Sequence, residues 1–210
     1  MRVGRVDRRA PLSPRNVPVV LEGEFGVVLD AAAGGDEMAF ARLWRDVHPV
    51  LLRYLRVLLR DTTAAEDIAA DVWVDVSRRL VDFTGDEPAF RGWLFTLGRR
   101  RAIDTWRRAS RAPVHLTDDV SEFDRPGRYD DTAGSVLERI DTERALALIA
   151  TLPRDQAEAI TLRVIAGLDV KAVAHLLGKR PGAVRVAAHR GLRTLATRLK
   201  DTSSLEGVTR

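Results

Sequence analysis

The 210-residue chain contains no cysteine. That absence excludes disulfide scaffolds, thiolate zinc sites, iron–sulfur clusters and thiol catalysis together. Histidine is nearly as scarce: His48, His115, His175 and His189 stand far apart, at no spacing that suits a metal. No apolar run approaches the roughly 18 residues a membrane span needs, so no membrane insertion is expected. The first residues lack the apolar stretch of a signal peptide, and the default location is the cytoplasm. There is no glycine-rich phosphate loop ending in Gly-Lys-Ser or Gly-Lys-Thr, and no nucleophile–base–acid set stands out. The chain therefore reads as a non-enzyme with no catalytic residue, metal or cofactor. What it does have is 45% apolar residues, enough for a packed core.

Charge is sorted along the chain, although the net value is only +4. Residues 61–87 carry eight acids and two arginines, and residues 88–112 carry seven arginines and one aspartate. Residues 113–145 carry nine acids and four arginines, and residues 151–200 carry ten bases and three acids. Each basic block follows an acidic one. Basic blocks suit a polyanion, and acidic blocks suit a basic partner or keep nucleic acid off the wrong face. Solvated faces of an ordinary globule are the plainer alternative.

Hydrophobic periodicity is helical throughout, and no stretch alternates as a strand does. Residues 1–24 form a Pro- and Arg-containing tail. A short helix over Phe25–Ala33 ends at Gly34-Gly35. Asp36 caps a long helix whose stripe is Phe40, Leu43, Trp44, Val47, Leu51, Tyr54, Leu55 and Leu58, with a kink or break expected at Pro49. Thr63 and Glu66 read as a capping box for a helix with Ile68, Val72, Val76 and Leu80 inward. Its other face carries Glu66, Asp67, Asp71 and Asp75. Pro88 opens a fourth helix with Phe90, Leu94 and Leu97 on its core side. Residues 109–134 lose all periodicity and read as a flexible acidic linker. A capping box at Ser135 and Glu138 and a start at Pro153 predict two more helices, the second with Ile160, Val164 and Ile165 inward and a stop at Gly167. The expected fold is all-α: domains at 25–108 and 135–200, the linker between them, and a C-terminal tail at 201–210.

Two segments carry chemistry. Asp169 to Leu195 reads as a short helix, a turn at Gly178-Lys179-Arg180 and a longer basic helix from Pro181, the helix-turn-helix pattern. Val173, Leu176 and Val184 would hold the two helices together. Arg185, His189, Arg190 and Arg193 would face solvent, where such side chains reach bases or phosphates in a major groove. A basic helical hairpin that binds nothing shows the same pattern. The second segment, FRGWLFTLGRRRAIDTWRR from Phe90 to Arg108, interleaves arginines with Trp93 and Trp106. Arginine neutralises phosphate and an exposed aromatic stacks on an unpaired base. For Trp93 and Trp106, a place in the core is the equal alternative.

These blocks, with GDEMAFARLWRDVHPVLLRYLRVLL, AEDIAADVWVDVSRRL and LPRDQAEAITLRVIAGLDVKAVAHLLGKRPGAVRVAAHRGL, resemble a bacterial sigma factor of the extracytoplasmic-function (ECF) group. The resemblance implies a two-domain subunit that binds core RNA polymerase, recognises the −10 and −35 elements of promoter DNA and helps to melt the duplex. It assigns Glu66, Asp67, Asp71 and Asp75 to polymerase docking. It assigns Asp82, Phe83, Thr84, Trp93, Arg99, Arg100, Arg107 and Arg108 to the −10 element, the first three around a flipped base. Lys179, Arg180, Arg185, His189, Arg190 and Arg193 fall to the −35 element. It also implies an anti-sigma protein as a partner. The chain departs from the family pattern at Ala70, where glutamine is frequent, at Arg100, where asparagine is common, and at Val186-Ala187, where Ser-Arg is frequent. The competing reading is a stand-alone helix-turn-helix regulator with an N-terminal interaction domain. A nuclease would need clustered carboxylates, and the nearest, around Asp118-Asp119, falls in the linker.

Overall fold

A computed structural model describes residue 21 and residues 23–109 and 133–206. The expected tail at 1–24 lies mostly outside the described residues, as does nearly all of the linker. The described residues are helical and hold no strand. The first unit has four helices: α1 (Phe25–Ala33), α2 (Glu37–Leu59), α3 (Thr62–Arg79) and α4 (Glu87–Ala109). The second has α5 (Ala133–Ala150), α6 (Arg154–Ile160), α7 (Val170–Leu177) and α8 (Pro181–Glu206). Helix α8 therefore continues past the expected boundary at residue 200.

Side-chain caps start α2, α3, α4 and α7. The Asp36 carboxylate accepts from the Ala39 N–H at 2.9 Å, Asp61 from Ala64 at 2.9 Å, Asp86 from Ala89 at 3.0 Å and Asp169 from Ala172 at 2.7 Å. Each satisfies a donor that has no partner within its own helix. The expected capping box at Thr63 and Glu66 is not used. Helix α3 starts two residues earlier than the box implied, because Asp61 is the nearer acceptor, and the Glu66 carboxylate instead meets Arg56 at 3.2 Å. Ser135 lies inside α5, which already starts at Ala133.

Pro49 does not divide α2, which runs unbroken from Glu37 to Leu59. Pro49 is exposed, while Val47, Val50 and Leu51 beside it are buried and keep the helix packed on both sides of the proline. The helix ends at Arg60, whose backbone is left-handed (φ 58°). Val164 is the other correction. It is 52% exposed, because Thr161–Ile165 form a π-helical turn whose extra residue shifts the phase of the stripe.

Helix α2 is the axis of the molecule. Leu43, Val47, Leu51, Tyr54 and Leu55 are fully buried against α1, α3 and α4. The same helix meets α5, α6 and the π turn of the second unit, and Val57 belongs to the cluster of Leu146, Ile149, Leu152, Ala157 and Ile160. A second cluster joins Leu51 and Phe95 to Leu162, Leu168 and Val173. The two helical units are thus seated on each other. Near the middle of α2, Asp46 forms a buried ion pair with Arg91 of α4 at 2.8 Å. Glu87 holds the same guanidinium at 2.8 Å, and the Phe25 ring lies beneath it at 5.8 Å. This knot fixes the start of α4 under the Leu80–Asp86 loop.

Candidate nucleic-acid interface

The helix-turn-helix forms as the sequence implies. Gly178 takes a left-handed conformation (φ 64°) that a side chain would strain, and the N–H groups of Gly178 and Lys179 turn back to the His175 and Ala174 carbonyls. Pro181 opens α8, and Val173, Leu176, Leu177 and Val184 are buried between the helices. On the opposite side Arg180, Arg185, His189, Arg190 and Arg193 are exposed, with 185, 189 and 193 one turn apart on one face. Val186 is half-exposed beside them, and Ala187 is partly buried against the core. Lys179 differs from its neighbours: its ammonium pairs with Asp155 of α6 and ties the turn down. Gly191 faces away from the basic side. A Cβ there would lie 2.5 Å from Ile160 Cδ1, so the glycine is what lets α8 lie close on α6.

The acidic face of α3 also exists, though not as a bare ridge. Asp67 is exposed. Arg101 of α4 forks across one turn of α3, reaching Asp71 at 2.8 Å and Asp75 at 2.6 Å. Arg56 holds Glu66. Neither contact is visible in the sequence of α3, because each arginine lies on another helix.

In the loop after α3, Leu80 is a buried anchor and Asp82 and Thr84 are exposed. Phe83 turns inward and stacks on Trp93 (ring centroids 5.1 Å apart, planes at 25°), and both meet Phe90 edge-on. Trp93 therefore takes the core alternative, as one wall of an aromatic cluster, and Asp82 and Thr84 flank that wall in solvent.

Further along α4 the expected DNA residues divide. Arg100, Arg107 and Arg108 are exposed. Arg99 instead meets Glu158 of α6, Nε to Oε1, at 3.0 Å. Glu158 is only 3% exposed and also accepts from the Tyr54 hydroxyl at 3.4 Å. Burial, then the neighbouring Glu158 charge, pushes the Tyr54 phenol well above its ordinary pKa, so it remains a donor. Trp106 is 55% exposed, and the Arg154 guanidinium lies over its ring at 4.5 Å. Tyr54, Arg154 and Glu158 were not foreseen as site residues. The one local signal was the Arg154–Glu158 spacing of four, which in isolation reads as a surface pair.

Family comparison agrees with this geometry. Residues 43–112 match the model of sigma-70 region 2, and residues 142–195 match sigma-70 region 4. The chain is 34% identical over 179 residues to the ECF RNA polymerase sigma factor ShbA of Streptomyces griseus, covering 81% of this chain and 93% of that protein. The chain belongs to the ECF RNA polymerase sigma factors. It is also 30% identical over 178 residues to the ECF sigma factor BldN of Streptomyces coelicolor, covering 83% of this chain and 65% of that longer protein. Among solved structures, the sigma factor RpoE in complex with the anti-sigma factor NepR from Bartonella quintana shares the fold at a TM-score of 0.59. The identity there is 22%, over 77% of this chain and 96% of that one. The region 2 match takes in the acidic helix, the Phe83 loop and α4 of this sigma factor; the region 4 match takes in the helix-turn-helix. Helix α1 precedes both. Among the described residues no group of three His, Asp or Glu side chains is placed to hold a metal, and no helix is long and apolar enough to cross a membrane.

Proposed function

We propose that this sigma factor, working in the cytoplasm, binds core RNA polymerase through α3 and directs it to promoters by holding two DNA elements at once. It contributes position and strand opening, and no catalytic group. Helix α8 enters the −35 major groove, with Arg180, Arg185, His189, Arg190 and Arg193 on phosphates and base edges. Lys179 contributes there by steadying the turn. The exposed Val186 offers a methyl contact to thymine. Asp82, Phe83 and Thr84 receive an unpaired −10 base beside Trp93, while Arg99, Arg100, Arg107 and Arg108 follow the strand's phosphates. Stacking and charge neutralisation there offset an unstacking cost of a few kcal/mol per base. An anti-sigma protein, like that bound to RpoE in the related structure, would cover these same faces.

The observation that carries the reading is the four-residue basic face of α8, exposed on a correctly built helix-turn-helix and joined to a region 2 unit whose acidic helix is presented outward. The test is run-off transcription with purified core polymerase on a genomic fragment library. Defined start sites that depend on this chain support the reading, and duplex binding without initiation returns it to a stand-alone regulator. For docking, Asp67→Lys is the informative change because it leaves the Arg101 fork intact. It should reduce co-purification with core polymerase at least tenfold, and unchanged co-purification would reject α3 as the docking face.

A further inference from the structure

We propose that the second unit masks the −10 strand site of the first by imitating nucleic acid, with Glu158 in place of a phosphate and Arg154 in place of a stacked base. The inference rests on the assignment of Arg99 and α4 to the −10 strand.

Several observations converge on one seam. Arg99 and Trp106 sit two turns apart on α4, and both are engaged by α6. Glu158 sets a carboxylate against the Arg99 guanidinium at 3.0 Å, the kind of charge-assisted contact a phosphate oxygen makes. Arg154 lays a planar cation over Trp106 at 4.5 Å, on the surface where a base would stack. Glu158 is held in place from two more directions, by the Tyr54 hydroxyl at 3.4 Å and by Arg154 itself at 3.9 Å. Around this centre Arg56 pairs with Glu143 at 3.1 Å, and the left-handed residue Arg60 donates to the Leu152 carbonyl at 3.4 Å.

The contact is not a sealed core. A cavity of about 270 Å³ opens beside it, lined by Tyr54, Leu58, Arg60, Trp106, Arg154 and Glu158. Its two key contacts, a carboxylate on Arg99 and a planar group on Trp106, are ones a nucleotide strand also supplies. A strand therefore displaces α6 group for group, trading Glu158 for phosphate and Arg154 for a base, without leaving Arg99 unpaired. The masking contacts leave α8 alone, since Arg185, His189, Arg190 and Arg193 remain exposed in the seated arrangement.

The absence of cysteine allows clean two-site labelling. Val27→Cys on α1 and Thr197→Cys on α8, both at exposed positions, take a donor and an acceptor dye in the full-length chain. The probe is a 12-nucleotide single-stranded DNA of mixed sequence. Saturating probe should lower energy transfer as the units part. Glu158→Gln combined with Arg154→Ala should bind the probe about tenfold more tightly than the parent. The single change Glu158→Gln, nearly equal in volume, should give an intermediate gain and guards against a loss of fold. Energy transfer unchanged at saturation, or variants within twofold of the parent, would overturn masking. Run-off transcription by the same variants with core polymerase separates the two hypotheses. Normal initiation with no gain in probe binding removes the masking inference alone, and absent initiation by the unaltered chain removes the functional reading beneath it.

Discussion

The two basic helices of this sigma factor are treated differently by the rest of the molecule. On α4, Arg99 is bound to Glu158, Arg101 to Asp71 and Asp75, and Trp106 is capped by Arg154. On α8, Arg185, His189, Arg190 and Arg193 stand in solvent. A count of arginines would rate the helices alike. What separates them is the surface each unit offers the other. The first unit docks through α4 and the C-terminal part of α2, whereas the second docks through α5, α6, the π turn and α7 and leaves the basic face of α8 outside. In the seated arrangement the basic face of α8 is thus open to solvent, while Arg99, Arg101 and Trp106 of α4 are engaged within the protein.

The sharpest way to test this contrast is to delete charge from each helix in turn. Arg185→Ala with Arg190→Ala should weaken binding of the free protein to duplex carrying its −35 element by about 1–3 kcal/mol per arginine, and should lower the slope of affinity against salt by about two. Arg99→Ala should leave that duplex affinity within about twofold, because its guanidinium is already engaged by Glu158. Anisotropy titrations at three salt concentrations measure both. Equal losses from the two helices would abolish the distinction.

A second test removes the seat on which α8 rests. At Gly191 a methyl group would meet Ile160 Cδ1 at 2.5 Å, Gln156 Cβ at 3.1 Å and Leu152 Cδ1 at 3.3 Å. Crowded on three sides, Gly191→Ala should cost the second unit about 1–3 kcal/mol. It should speed amide exchange in α6 and α8 while leaving the aromatic cluster of the first unit protected. Unchanged exchange would mean that Ile160 turns aside freely and that the close fit of α8 on α6 is incidental.

This asymmetry was only half legible in the sequence. Helix α1, the Asp36 cap, the Pro88 start and the whole helix-turn-helix could be read because each depends on residues within a turn or two of one another. Gly178 and Pro181 announce the turn locally, and the spacing of 185, 189 and 193 already states which side faces out. The engagement of Arg99 by α6 could not be read this way. Arg99 and Glu158 lie 59 positions apart, and on either helix alone each looks like a solvated charge. Glu158 is buried because α6 is covered on two sides, by α2 and by α8, a property of packing that a single stripe does not encode. The Val164 error has the same origin in a smaller event, one extra residue in the π turn. At Pro49 the buried neighbours Val47, Val50 and Leu51 overrode a local preference.

The smallest expected difference between the units is their response to mild acid. All four tryptophans, Trp44, Trp73, Trp93 and Trp106, lie in the first unit, so intrinsic fluorescence reports chiefly on that unit, with Trp106 also sensing Arg154 of the second. Trp44 stacks on His48 with ring centroids 4.4 Å apart and planes at 15°. Burial holds His48 below its ordinary value of 6.5; Glu66 from α3 opposes that shift and Arg56 on the same helix adds to it. The imidazole Nδ1 is buried without a hydrogen-bond partner. The folded protein therefore resists a proton that the unfolded chain accepts. The stability this represents is complete above pH 6.5 and is lost as pH falls from there through the lower folded-state pKa. In denaturant melts followed by tryptophan fluorescence, the midpoint should fall between about pH 7.5 and about pH 6, and His48→Gln should flatten that slope. Protonation of His48 should also quench Trp44 at the acid end of the series, before any unfolding. A slope that persists in His48→Gln would overturn the assignment to His48 and would leave the two units distinguished by docking alone.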